Sequence, residues 1–182
     1  MLPPSSYLLV LSLLSLLIPH LAAEAPLAPI ERCFVALKPD AVQRNLIGEC
    51  IGRLERKGLK VVAMKMIRPS EDKVFEHYAE HHDKPFFHDL TDFFLSGPIV
   101  CLVCEGVDAI HLARMVVGKT HPAEALPGTI RGDFCSGKGR NLVHASDSLV
   151  SAAREIALWF DSNEILSYEK NIDHWVAQPK LL

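Results

Sequence analysis

Apolar residues recur along the chain in blocks whose spacing changes from segment to segment. Arg32–Lys38 is an apolar, β-favouring run that reads as a strand and stops at Pro39-Asp40. Leu46, Ile47, Cys50, Ile51 and Leu54 return at helical spacing, and Gly58 follows as a stop signal. Lys60–Ile67 reads as a second strand. Pro69-Ser70 opens a helix with Glu71 and Asp72 in its first turn and a stripe of Val74, Phe75, Tyr78 and Ala79. A short helix over Phe86–Leu95 ends at Gly97-Pro98, and Ile99–Cys104 is a third strand. Asp108–Val117 reads as a helix stopped by Gly118, Asn141–Ala145 as a short fourth strand, and Asp147–Phe160 as a final helix. Between them, Lys119–Arg140 is rich in glycine, proline and polar residues. A loop of that length in a small domain is usually functional.

Without the Ser70–Leu95 helices, the order is strand-helix-strand-strand-helix-strand. That order predicts a ferredoxin-like α+β sandwich. The expected fold is a four-stranded antiparallel sheet with helices on one face, an extra helix pair and a long active-site loop.

Residues 1–23 stand apart because they carry no charged side chain, and Tyr7–Ile18 is almost pure Leu/Ser apolar sequence. The run is short for a bilayer span and fits a signal-peptide core or an uncleaved membrane anchor. Of the two, the anchor is favoured. It would leave the rest of the chain facing the cytosol, on an organelle outer membrane for instance. The alternative is secretion after cleavage near Ala22-Ala23. Residues 24–30 read as a Pro-rich linker and 31–182 as one domain.

Across all 182 residues, 19 Lys and Arg face 22 Asp and Glu, a net charge of −3. That balance argues against a protein held on nucleic acid by bulk charge, so any anion site must be local. Five scattered cysteines make no disulfide framework. Cys101 and Cys104 lie three apart on a strand, point to opposite faces and read as core thiols.

Two groupings can carry chemistry. Asn141-Leu-Val-His144-Ala-Ser146-Asp147-Ser148 delivers a histidine from a strand, with helix-capping residues directly after it. An imidazole is a competent nucleophile near neutral pH, and Glu155 in the next helix can orient one of its nitrogens. The second grouping is basic: Lys38, Arg114, Lys119, Thr120, Arg131, Lys138 and Arg140. Arginine forks and a threonine hydroxyl suit phosphate oxygens.

Several motifs stand in register: Lys38-Pro-Asp40 with Gln43-Arg44, Gly118-x-Thr120-x-Pro122, Pro127-Gly-Thr-Ile-Arg-Gly-Asp-Phe134, Asn141-x-x-His144-x-Ser146-Asp147-Ser148 and Glu155-Ile-x-x-Trp-Phe160. Together, from about Glu31 to Trp175, they resemble the nucleoside diphosphate kinase family. The resemblance implies transfer of the γ-phosphate of a nucleoside triphosphate such as ATP to a nucleoside diphosphate, in two steps through a phosphohistidine. It matches His144 to the phosphorylated residue, Glu155 to the carboxylate behind it and Ser146 to the hydroxyl assisting that contact. Lys38, Tyr78, Arg114, Thr120 and Arg131 match the phosphate-holding groups. Phe86 matches the aromatic stacked on the base, Leu90 an apolar contact beside it, and Asn141 the amide that meets the ribose with Lys38. The resemblance also implies Mg²⁺ on the nucleotide phosphates rather than in a protein cage. It further implies a homo-oligomer, a hexamer or tetramer with the hexamer favoured, packed partly through the loop around Pro122. Gly-x-x-x-x-Gly-Lys-Ser/Thr is absent from the chain, which leaves a P-loop kinase unsupported.

The chain departs from the family pattern at Ala145 and Ala41, where glycine is expected, and at Gly137-Lys138, where an apolar pair is expected. Three rival readings remain. His77-Tyr-Ala-Glu80-His81 has the H-x-x-E-H spacing of a zinc site, although a solvated histidine cluster is the simpler reading. Arg131-Gly132-Asp133 is an adhesion-type tripeptide, but its flanks Ile130 and Phe134 suggest a packed turn. A catalytically silent scaffold is the third, against which the complete residue set argues.

Overall fold

Cys33 through Leu37 form five consecutive residues with no exposed surface. A strand sealed along every residue must be covered on both faces. This strand, β1 (Ile30–Leu37), is central in a computed structural model that describes residues 29–176. It is followed by α1 (Pro39–Gln43), α2 (Ile47–Arg56), β2 (Lys60–Ile67), α3 (Glu71–His77), α4 (Phe87–Leu95) and β3 (Ile99–Val107). Then come α5 (Ala109–Val117), α6 (Ile130–Phe134), β4 (Val143–Ala145), α7 (Leu149–Trp159) and α8 (Asp173–Val176). The sheet order is β2-β3-β1-β4 and every neighbouring pair is antiparallel. This is the ferredoxin-like arrangement expected from the element order.

The expectation of helices on one face is corrected: there are two apolar layers. Cys33, Val35, Leu37, Leu102 and Cys104 pack with Leu54 of α2, Ala113 and Val117 of α5 and Ile130 of α6. On the other face Phe34, Ala36, Cys101 and Val103 pack with Val74, Tyr78, Phe87, Phe94 and Trp159. The physical signal was present in the sequence, since Phe34–Leu37 and Ile99–Cys104 are unbroken apolar runs rather than alternating ones. Cys101 and Cys104 fall in opposite layers as their spacing requires, both as free thiols. Burial pushes the Cys101 thiol up to about 12.

Other boundaries moved. The chain does not simply stop at Pro39, because that residue starts the short α1, where its missing N–H costs nothing. Gly58 ends α2 as expected, at φ +99, a conformation only glycine adopts without strain. The stripe on α3 is Val74, His77 and Tyr78, whereas Phe75 and Ala79 are exposed and α3 ends at His77. The long segment 119–140 is partly ordered by a 3₁₀ turn at Pro122–Glu124 and by α6, which Thr129 caps by accepting from the Gly132 N–H. Ser148 caps α7 in the same way, accepting from the Ser151 N–H at 3.2 Å. Among the described residues no helix is long and apolar enough to cross a membrane. The anchor reading concerns residues 1–23, which lie outside the described residues.

Candidate active site

Pairing with β1 fixes where β4 presents its one histidine. His144 sits opposite Ala36, on the sheet face that carries Phe34. From there its Nε2 meets Glu155 Oε1 of α7 at 2.9 Å. Ser146 donates from its hydroxyl to the other carboxylate oxygen of Glu155 at 2.5 Å and accepts from the Phe34 N–H at 3.1 Å. Glu155 and Ser146 are buried, while the imidazole is only partly covered. With Nε2 engaged, Nδ1 is the ring nitrogen left for chemistry.

That imidazole opens into a cleft of about 1040 Å³, large enough for a nucleotide. Lys38, Tyr78, Phe86, Leu90, Arg114, Thr120, Arg131, Asn141, His144 and Glu155 all line it, so the fold brings together ten of the eleven candidate residues. The eleventh, Ser146, stands behind Glu155. Phe86 is about half exposed at the mouth, placed to offer a ring face to a base.

The cationic wall is built from buried groups. Lys38 donates from Nζ to Asn141 Oδ1 at 2.9 Å, and the Asn141 amide donates to the Thr120 carbonyl at 3.2 Å. Burial first, and then the Arg131 charge, push the Lys38 ammonium down from 10.5 to about 8, with Asp40 opposing. Arg131 is 8% exposed and donates to the carbonyls of Asn141, Gly118 and Val143. Burial lowers Arg131 to about 10, so it remains charged at neutral pH. The Tyr78 hydroxyl is buried without a hydrogen-bond partner among the described residues, and burial pushes the phenol well above its ordinary range.

The Lys38 position gives a pH prediction. The free ammonium is charged below about pH 8 and loses its proton as pH rises through that value. A bound phosphate favours the charged form, so binding between about pH 8 and 10.5 must take up protons. Titration calorimetry at pH 9 in buffers of different ionisation enthalpy should show this uptake with ADP, and Lys38→Met should lose it. Affinity should also weaken from pH 7.5 to 9.5, and proton-neutral binding at pH 9 would refute the assignment.

Sequence reasoning missed several residues here. Leu142 lies at φ +63, a strained conformation for a branched side chain, directly between Asn141 and Val143. It is held there by its N–H donating to Asp40 Oδ2 at 3.0 Å and its carbonyl accepting from the Lys38 N–H at 2.8 Å. Asp40 thus fixes the turn that aims Asn141 and His144, a role invisible without the fold. Asp89 and Asp92 also line the cleft and carried no signal, and Glu80, which the sequence offered only within a zinc-type motif, lines it too.

The departures resolve locally. Ala145 is not among the described residues with positive φ, and its methyl packs in the core layer of Val35 and Ala152, so glycine is not required. Ala41 is fully buried in the same layer. Lys138 lines the cleft, at the tip of a turn closed by the Gly137–Arg140 bridge, with Arg140 stacked 3.8 Å above the Phe93 ring. A charged side chain therefore stands in the wall where an apolar one was expected.

The rival motifs are absorbed by packing. Arg131 is held by three carbonyls, which use three of its five N–H donors, and Asp133 accepts from the Gly128 N–H and from Arg53, so the Arg-Gly-Asp tripeptide is a folded turn. The solvated-cluster reading of His77 is corrected: it is 1% exposed. His81 does not join it, because α3 ends between them. Among the described residues the group close enough to share an ion is His77, His144 and Glu155, with ligand atoms within 4.8 Å. Trp159 Nε1, which can only donate, meets His77 Nδ1 at 3.2 Å. Nδ1 is therefore bare, the neutral ring carries its proton on Nε2, and that nitrogen is not free to ligate.

An imidazole with a buried carboxylate behind it and Lys38, Arg114 and Arg131 along the cleft in front of it is the arrangement a phosphotransferase calls for. The family model described as Nucleoside diphosphate kinase matches residues 31–165. A nucleoside diphosphate kinase of Archaeoglobus fulgidus is 56% identical over 151 residues, covering 83% of this chain and all of the relative. Nucleoside diphosphate kinase 3 of Homo sapiens is 51% identical, over 81% of this chain and 88% of the relative. The structure of a halophilic nucleoside diphosphate kinase from Halobacterium salinarum in complex with CDP superposes with a TM-score of 0.80 at 47% identity, over 82% of this chain and 100% of that one. The chain belongs to the nucleoside diphosphate kinase family, phosphotransferases that pass phosphate from a nucleoside triphosphate to a nucleoside diphosphate.

Proposed function

We propose that this chain carries out that transfer by a ping-pong mechanism through phosphorylated His144. The observation that carries the reading is the Nε2–Glu155 hydrogen bond, which leaves Nδ1 as the attacking nitrogen at the cleft wall. Glu155 and Ser146 hold the ring and stabilise the charge that builds on it as the phosphorus–oxygen bond of the donor breaks. Lys38, Arg114 and Arg131 neutralise the phosphate oxygens, Thr120 and Tyr78 supply hydroxyl donors, and Asn141 meets the ribose with Lys38. Phe86 and Leu90 grip the base by stacking and apolar contact, which any base satisfies. Phosphoryl transfer asks mainly for positioning and charge neutralisation, and this set provides both. The wall of Lys38, Arg114 and Arg131 suits phosphate oxygens rather than a bare metal ion, so Mg²⁺ would enter on the phosphates. When bound there it offsets their charge. The test is incubation with γ-labelled ATP, which should leave acid-labile label on the protein that chases onto added nucleoside diphosphate.

Self-association fits two further features. Strand β2 is an outer strand with Met64 and Met66 exposed, an edge that a second copy would cover, and Pro122 is the one buried residue of an exposed turn over Pro122–Glu124. We read the assembly as a hexamer. We also read residues 1–23 as an uncleaved anchor with the kinase facing the cytosol. This reading predicts that carbonate-washed membranes retain the protein and that mass spectrometry finds residues 1–23 intact. A soluble or secreted chain beginning near Glu24 would overturn it.

A further inference from the structure

His77 is a buried imidazole that the mechanism above does not use, and its Nε2 has no hydrogen-bond partner among the described residues. Leaving a buried donor unpaired is unfavourable, so its presence at this position calls for a reason. Three contacts supply one. Trp159 of α7 donates to His77 Nδ1 at 3.2 Å. Arg154 of the same helix donates to the His77 carbonyl from both terminal nitrogens, at 3.3 and 3.4 Å. The His77 ring then packs edge-to-face on the His144 ring, with centroids 4.6 Å apart and planes at 77°. Burial, followed by the neighbouring His144, Arg154, Lys38 and His81 charges, holds its protonation far below the ordinary range, so it stays neutral.

Glu155 lies on α7 between the two residues that grip His77. The helix that carries the carboxylate is thus pinned, through His77, beside the ring whose Nε2 the carboxylate must meet. His144 needs such a brace. Strand β4 is only three residues long at the sheet edge, and the imidazole has a single side-chain hydrogen bond to set its plane. His77 does not line the cleft, so it acts from behind the reacting group.

We propose that His77 is a positioning residue for the phosphorylation step. Locked by Trp159 as the neutral Nε2–H tautomer, it wedges the His144 imidazole in the plane where Nε2 meets Glu155 and Nδ1 faces the cleft. This rests on the reading that His144 is the phosphorylated residue.

The test is single-turnover phosphorylation by γ-labelled ATP, with steady-state kcat and KM, on the wild-type chain, His77→Asn and the double variant His77→Phe/Trp159→Phe. Asparagine places an acceptor near the Nδ1 position, keeping Trp159 satisfied, but removes the ring. The double variant keeps a ring against His144 and removes the indole donor. The phosphorylation rate and kcat of His77→Asn should fall roughly 10- to 100-fold, the scale of a small misplacement of a reacting group. KM should stay within about twofold, and the double variant should recover most of the rate. A His77→Asn rate within twofold of wild type, or a KM that rises in step with the loss of kcat, would overturn the proposal. So would Zn²⁺ binding that disappears in His77→Asn, because it requires a bare Nε2. Absence of phosphoenzyme in the wild-type chain would instead sink the underlying mechanism.

Discussion

His144→Ala is expected to carry no acid-labile label after incubation with γ-labelled ATP and to transfer no phosphate above background. The covalent intermediate needs an accessible nucleophile facing the phosphates, and the cleft offers few. The Tyr78 phenol is held far from its anion by burial. Two lysines line the cleft, Lys38 and Lys138, and the lowered pKa of Lys38, about 8, makes it the stronger rival. Its Nζ, however, is tied to Asn141 at 2.9 Å and belongs to the charge-neutralising wall. The alanine variant separates them from His144, since label that survives it would place the intermediate on another nucleophile of the cleft. The substitution removes a half-buried ring rather than a core residue, so the variant should remain folded and still bind ADP. Initial-rate patterns of the wild type should be ping-pong, and intersecting patterns diagnostic of a ternary complex would contradict the mechanism.

Glu155→Gln should keep the fold and lose about ten- to ten-thousandfold in rate, the range for one acid–base participant. The carboxylate presents two acceptor oxygens, one to His144 Nε2 and one to the Ser146 hydroxyl. A glutamine has one acceptor and one donor. If its amide N–H faces His144, Nε2 must lose its proton and Nδ1 must carry it, which blocks the attacking nitrogen. If its carbonyl faces His144, the tautomer survives but no anion balances the charge developing on the ring. Either orientation slows phosphorylation more than it weakens nucleotide binding, because Glu155 reaches substrate only through His144. A drop in kcat with KM held near wild type is the signature. An unchanged rate would remove Glu155 from the site.

Much of this site was legible in one dimension because its residues lie in short, locally meaningful segments. Asn141 to Ser148 carries His144, the Ser146 hydroxyl and the Ser148 helix cap within eight residues. Glu155 falls on the helix those caps begin. The strand and helix identities of Lys60–Ile67, Phe87–Leu95 and Leu149–Trp159 followed from period and cap chemistry, which are local properties. Where expectation and structure part, the cause is long-range. His77 looked like one member of a solvated histidine run, because neighbouring polar residues say nothing about what packs above them. Its burial comes from Phe34, Phe94 and Trp159, brought together from three separate elements.

What the amino-acid sequence determined by itself was therefore the identity of the chemical groups, the order of the elements and the family. These depend on residue types at fixed spacings along one chain. What only the tertiary structure decided was the state and aim of those groups. Covering both faces of the sheet buried Arg131 and turned an apparent adhesion motif into a scaffold for three carbonyls. Asp40, about a hundred residues before Leu142, holds that residue in a left-handed turn and so points Asn141 and His144 into the cleft. Trp159, 82 residues after His77, chooses which of its nitrogens carries the proton. Burial, tautomer and strain arise from partners distant in sequence, and they come into being only when the chain closes on itself.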